Sequence, residues 1–259
     1  MGEGDLFFYA IAGFFVGIYM FYRGFVRMRQ KKLIENTPTS KIRSLAMGLV
    51  EVYGKAVPMK NAETKKENIF LSPFSNSKCV YYKYTIEEYR RSGKNSRWVT
   101  VNQGESRQNF YLQDDTGKVT IDPKDAEIVI PMDHEFRSGG GKEPPKIVID
   151  FLAKKNIAYK SWKFGKTMRY REYFIASKDK LYIMGSADKN PSVEIGAAAI
   201  GVENAIIKKG NAEKFYYISD KPEKDVLKAF KFSVYGGLIG GATLSVVCLA
   251  IILAYLELF

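Results

Sequence analysis

The stretch Cys79–Tyr89, CVYYKYTIEEY, decides the fold. Val80, Tyr82, Tyr84 and Ile86 alternate with Lys83, Thr85 and Glu87. Successive side chains of a strand point to opposite faces, so this period of two predicts a strand with one apolar face. Its aromatic and β-branched residues suit a pleated, half-buried surface. Downstream, Arg90–Arg97 (RRSGKNSR) reads as a charged loop and Trp98–Asn102 (WVTVN) as the next strand. Asn109–Gln113 and Lys118–Asp122 flank Asp114-Asp115-Thr116-Gly117, a hairpin signal in which Gly117 is placed to take a positive φ. Glu127–Ile130 follows Asp122-Pro123 as a short strand.

Met132–Lys146, with its Ser138-Gly139-Gly140-Gly141 tract and two prolines, reads as a surface loop. Ile147–Ile157 predicts a short helix with a stripe at Ile147, Phe151 and Leu152. Tyr170–Ala176 and Leu181–Gly185 flank the turn Ser177–Lys180, and Glu203–Lys208 and Phe215–Ser219 close the pattern. Upstream, Ile69–Leu71 is short, and Leu49–Val57 is interrupted by Gly54, where a bulge or turn is expected. Some ten short strands and one helix predict a single mostly-β domain over 41–220. A closed or partly closed barrel, or a small sandwich, would hide its edges.

Uncharged apolar runs lie at both ends of the chain. Leu6–Tyr22 has 17 residues and Phe232–Leu256 has 25. A transmembrane helix needs about 20 apolar residues. The first run reaches that length by adding Phe25 and Val26 while Arg23 snorkels. A signal peptide carries its positive charge ahead of the apolar run. Here Glu3 and Asp5 come first and Arg23, Arg27, Arg29, Lys31 and Lys32 follow, which predicts an uncleaved anchor. The expected layout is a span over 1–26, a basic segment over 27–40, the domain, a short helix over 221–231 and a second span over 232–259. Thr37–Ser40 would break the first helix, and Ser219 or Asp220 would cap the one that begins at Asp220. Lys and Arg of short loops stay cytoplasmic. Lys221, Lys224, Lys228 and Lys231 precede the second run, so both ends are expected outside the cell membrane and the domain in the cytoplasm.

The formal charge of +12 would suit nucleic acid. Anionic lipid accounts for the basic juxtamembrane residues without it, at roughly 1 kcal/mol each, so no nucleic-acid partner is expected. Gly13/Gly17, Gly236/Gly240 and Gly237/Gly241 are GxxxG pairs, which let helices approach closely within one chain or between copies in a homo-oligomer. Two spans without an internal ionisable residue do not make a pore by themselves.

Chemistry-bearing constellations are sparse. His134, the one histidine, sits in the polar stretch Pro131–Glu135 and is expected to be exposed and inert. Two cysteines and one histidine cannot supply a structural zinc site. Cys79 and Cys248 are expected to be buried, reduced and apolar in role. Gly196–Gly201 reads as close packing or a tight loop rather than a phosphate cradle. Asp114 and Asp115 are expected in a solvated turn, Glu87, Glu88 and Glu127 on exposed strand faces, and Lys65-Lys66 and Arg90-Arg91 at solvated loop ends. The many tyrosines, Tyr81, Tyr82, Tyr84, Tyr89, Tyr170, Tyr173, Tyr182, Tyr216 and Tyr217, are expected mainly in cross-strand packing, with a minority forming a contact surface. No catalytic, cofactor-binding or metal-binding residue is assigned.

Gly48–Gly54, Leu71-Ser72-Pro73, Cys79–Tyr82, Trp98, Phe110–Asp114, Gly117–Pro123, Tyr170–Ala176, Leu181–Gly185 and Tyr216–Leu227 occur in an order and spacing that resembles the membrane-side domain of the MULAN/GIDE family. These are mitochondrial outer-membrane E3 ubiquitin ligases. The resemblance covers about 40–231, and the flanking spans match the family's layout. It implies a domain that recognises partners beside a membrane. In the ligases that domain faces the intermembrane space, and a cytosolic RING after the second span recruits the ubiquitin-charged enzyme. The RING's zinc-binding cysteines and histidine have no counterpart in these residues, so a RING-less relative of prokaryotic or archaeal type is expected. The expected function is a membrane-anchored protein-recruitment or scaffold module without a catalytic site of its own, its partner met at the cytoplasmic face. The alternatives are a component of a ubiquitin-ligase-like system working with a separate RING-like partner, and a membrane-linked enzyme.

Overall fold

The computed structural model describes residues 3–60, 66–93, 95–106, 108–159, 166–191 and 204–256. The chain forms two compact units, Met1–Pro38 with Pro222–Phe259, and Thr39–Lys221.

The first unit is helical. Helix α1 (Glu3–Asn36) runs unbroken for 34 residues. At 1.5 Å per residue it is about 51 Å long, longer than the roughly 30 Å hydrocarbon core of a bilayer. Its apolar part leaves Phe8, Phe15 and Tyr22 exposed, as a lipid-facing surface requires. Helix α3 (Glu223–Tyr235) passes through a π-helical turn at Gly236–Gly240 into α4 (Gly241–Tyr255). Two helices, Asp5–Asn36 and Glu223–Tyr255, are thus long and apolar enough to cross a membrane. No side chain caps α3, which begins after Pro222; the Ser219 hydroxyl instead accepts the Lys221 N–H. Helices α1 and α3–α4 meet at their glycines. A Cβ on Gly237 would lie 2.7 Å from the Gly24 Cα, and one on Gly241 2.5 Å from the Phe21 N. Gly13 and Gly17 face Cys248 and Ser245 in the same contact, whereas a Cβ on Gly236 or Gly240 would meet nothing of the other helix within 4 Å.

The second unit carries twelve strands among its described residues. Strands β1 (Gly48–Val57), β5 (Phe110–Gln113), β6 (Lys118–Ile121), β11 (Ala205–Lys208) and β10 (Lys180–Lys189) pair in that order, and β10 pairs back onto β1. The result is a closed five-stranded barrel. Strands β12 (Tyr217–Ser219) and β7 (Glu127–Val129) extend it from β10. Val50, Val52, Leu112, Val119, Ile121, Leu181, Ile183 and Ile207 fill its interior.

The second sheet, a half-barrel, orders β2 (Phe70–Leu71), β3 (Lys78–Ser92), β9 (Met168–Ala176) and β8 (His134–Ser138), with β4 (Asn95–Glu105) also on β3. Its inner face packs Tyr84, Ile86, Met168 and Tyr170 under Val148 and Leu152 of helix α2 (Lys146–Lys154). Phe74 stacks edge-on against Tyr84, Phe151 and Tyr170. The fold is therefore mostly β, as expected.

Local expectations needed revision. Strand β1 is continuous through Gly54, which is glycine because a Cβ there would lie 2.6 Å from the Gln113 carbonyl oxygen. The expected loop at 90–97 is largely strand, since β3 and β4 pair out to Ser92 and Asn95, with Gly93 at φ +58°. Gly117 does not take a positive φ. The Asp114 carboxylate shapes that turn instead, accepting the Thr116 and Gly117 N–H groups at 2.7 and 2.9 Å. Within the expected surface loop 132–146, His134–Ser138 forms β8 along β9. A register shift between Cys79 and Tyr81 breaks the alternation of β3. Val80 and Tyr81 both enter the barrel core, and Tyr84 and Ile86 enter the second. Gly196–Gly201, Lys65 and Glu203 lie outside the described residues.

Candidate functional site

The outer face of the second sheet is built from the residues that alternate with its apolar ones. Glu87 on β3 faces Arg169 on β9 as a direct cross-strand partner. The Arg169 guanidinium donates to both Glu87 carboxylate oxygens, the Nη2–Oε1 bond being 3.0 Å. Arg171, two residues along, donates from Nε to Glu135 of β8 at 2.7 Å and lies 3.6 Å from Glu87. Arg137 donates to the other Glu135 oxygen at 2.6 Å. At the opposite end the Arg169 guanidinium carbon sits 4.4 Å from the centroid of the Trp98 ring on β4, and Trp98 packs 5.1 Å from Tyr89. A planar cation over an indole face is held by the ring quadrupole.

The array spans four strands, and its electrostatics follow from the contacts. The Arg169 hydrogen bonds hold the Glu87 carboxyl below its ordinary range, against a smaller opposing effect of burial. Arg171 does the same for Glu135. The Arg169 guanidinium is raised by Glu87. Burial opposes the ionisation of Glu88, yet Arg90 and Lys166 leave it below its ordinary range.

A groove of about 690 Å³ lies on the barrel unit, with Tyr53 and Lys55 of β1, Lys178 and Lys180 at the β9–β10 turn, and Lys41 and Asp115 along its lining. Tyr53 and Lys55 face outward because Val52, Gly54 and Ala56 face the barrel interior. On the same outward face Glu51 is only 1% exposed, accepting the Thr39 hydroxyl and the Tyr182 phenol at 2.6 Å each. Glu172 on β9, 0% exposed, accepts the Phe74 and Ser75 N–H groups through Oε2 at 2.9 and 3.2 Å. Its Oε1 has no partner among the described residues.

The residues singled out in the sequence distribute as follows. His134 is exposed, with its ring 6.2 and 6.0 Å from Phe136 and Phe174. Cys79 and Cys248 are buried free thiols. Burial pushes the Cys79 thiol up to about 12, with Glu172 and Asp133 adding to the effect, so it stays a thiol at neutral pH. Asp115 is exposed and paired with Lys41, as a solvated turn implies; Asp114 is instead the acceptor that organises its turn and receives the Ile42 N–H. Glu87 and Glu88 are drawn into ion pairs rather than left on an open face, while Glu127 is exposed. Of the tyrosines, Tyr81, Tyr84, Tyr170, Tyr182, Tyr216 and Tyr217 are buried and Tyr89 is exposed beside Trp98. Among the described residues no three His, Cys, Asp or Glu side chains group to hold a metal ion. The Arg169–Trp98 contact was not foreseen; the alternation of Arg169 and Arg171 with Met168 and Tyr170 was the available signal.

A protein-family profile described as "GIDE: E3 Ubiquitin ligase" matches residues 81–253, more than half of the chain. The chain belongs to the GIDE family. The GIDE match begins inside β3 and ends within α4, in the second helix long and apolar enough to cross a membrane, so that β1, the strand that closes the barrel, precedes it. No curated protein and no solved structure matches this GIDE chain.

Proposed function

We propose that this GIDE protein is a membrane-anchored recruitment module. Two helices hold the mostly-β domain at the cytoplasmic face of the cell membrane, and the outer face of the second sheet docks a partner protein. The observation that supports this is the array of Trp98, Arg169, Glu87, Arg171 and Glu135. Tryptophan and arginine are enriched among the few interface residues that carry most of the binding energy. Here each is already held by a neighbour, so docking orders little that was free. The basic residues flanking both spans favour the cytoplasmic placement.

The family description favours a second reading, a component of a ubiquitin–protein transferase system. RING domains ligate zinc through cysteine and histidine. The two cysteines and one histidine of this chain are too few for that, so a RING would be supplied from outside these 259 residues.

Crosslinking of the full-length protein in its own membrane, followed by mass spectrometry, tests both readings. A single dominant partner is expected, lost when 41–220 is deleted and depleted several-fold by Trp98→Ala with Arg169→Ala. A RING protein as that partner would favour the ligase reading. Recovery of this protein alone would overturn recruitment.

A further inference from the structure

We infer that the groove on the barrel wall is a second binding site, one that takes an acidic, extended peptide segment. Lys55 and Lys180 are direct cross-strand partners on β1 and β10. Residues so paired share a face with Cβ atoms about 5 Å apart, and like charges in that position are destabilising. Both lysines are exposed, neither has an ion-pair partner among the described residues, and both line the groove. A carboxylate seated between the two ammonium groups removes the repulsion.

Lys178 supplies a third cation from a fixed position. Its N–H donates to the Ala56 carbonyl at 2.7 Å, and the Ala56 N–H donates to the Asp179 carbonyl at 2.8 Å, which clamps the β9–β10 turn to β1. Three lysines on rigid backbone thus surround a cavity whose walls also include Tyr53, Val57 and Pro58. Glu67 and Asp115 line the same cavity. Asp115 is paired with Lys41, and the lysines line a concave groove rather than a flat face, so one extended segment reaches them where a sheet of lipid phosphates does not. The occupant is therefore a peptide with closely spaced Asp or Glu.

The test uses the full chain in phosphatidylcholine nanodiscs and fluorescein-labelled hexaglutamate, read by anisotropy. Binding is expected to weaken at least tenfold in Lys55→Ala/Lys180→Ala and to be unchanged in Lys142→Ala, an exposed lysine outside the groove. Lys55→Glu should abolish binding and raise the unfolding temperature by about 1–3 °C, because it turns a repulsive pair into an attractive one. That rise separates loss of the site from loss of the fold. Equal weakening in Lys142→Ala would assign the peptide to diffuse positive charge and overturn the site. Absence of hexaglutamate binding alongside lysine-dependent capture of phosphatidylserine vesicles would assign the groove to lipid and overturn it as well. The groove shares no residue with the array on the second sheet. Partner capture rests on the array and is expected to survive the groove substitutions, so a failed hexaglutamate test refutes only the groove.

Discussion

Arg169 binds a carboxylate through its edge and an indole through its face, and these two contacts fix the centre of the proposed docking surface. Arg169→Ala removes both and is expected to destabilise the domain by about 1–2 kcal/mol, measured by urea unfolding with Trp fluorescence. Arg169→Lys should recover little, since a point cation cannot fork across Glu87 and lie flat on Trp98 together. The pH dependence has a sign fixed by the same contacts. Glu87 and Glu135 sit below their ordinary value of 4.5 when folded. Their stabilisation is complete above about pH 4.5 and is lost as pH falls through the lower folded values. Asp133, raised above 3.8 chiefly by burial, acts in the opposite sense, its ionisation costing stability as pH rises through that range. Urea midpoints between pH 3 and 7 should therefore fall on the acid side for the wild type and fall less steeply for Glu87→Gln. Glu172→Ala leaves the Phe74 and Ser75 N–H groups without their acceptor, and about 1–3 kcal/mol of stability should go with it.

At the level of elements, the glycines decide which backbones touch. A Cβ on Gly13 would lie 4.0 Å from the Cys248 Cβ, the separation of a disulfide. Gly13→Cys should therefore crosslink to Cys248 within one chain on mild oxidation, detected as an intact mass lighter by two hydrogens. A chain recovered only as reduced monomer would refute the pairing of the two spans. Inside the barrel a Cβ on Gly185 would meet the Tyr216 ring at 2.6 Å, and Gly185→Ala should cost about 1–3 kcal/mol. Much at this scale was legible in advance. The strand at Cys79–Tyr89 declared itself through its period of two, the strands flanking 177–180 through the turn between them, and the two end helices through long uncharged apolar runs. What escaped were features set by partners distant in sequence. Gly54 looked like a break because Gln113, the reason for it, lies on another strand. β8 looked like a loop because its outer Glu135 meets its cross-strand partner only in Arg171 of β9.

For the whole molecule, composition declared two helices long and apolar enough to cross a membrane and said little about the site. Positive charge on the inner flanks of both spans sets the expected sidedness. Asp5→Cys and Lys142→Cys should react with a membrane-impermeant maleimide from opposite sides of sealed vesicles. Labelling of both from the same side would refute two full crossings. The array proposed for docking was illegible at this scale because none of its residues is unusual alone. Arginine, glutamate and tryptophan acquire a role only once β8, β9, β3 and β4 lie side by side.

The closure of the barrel also orders events in time. Strand β1 emerges early in synthesis, yet the strand it must bond to along most of its length, β10, comes after the whole second sheet and α2. Closing so long an intervening segment carries an entropic cost that local hairpins such as β5–β6 do not meet. The hairpins and the second sheet can assemble first, while β1 waits with a bare hydrogen-bonding edge until Lys180–Lys189 arrives. Folding of this domain is therefore expected to end, rather than begin, at its N-terminal strand, and a chain cut before residue 180 would expose that edge to its neighbours.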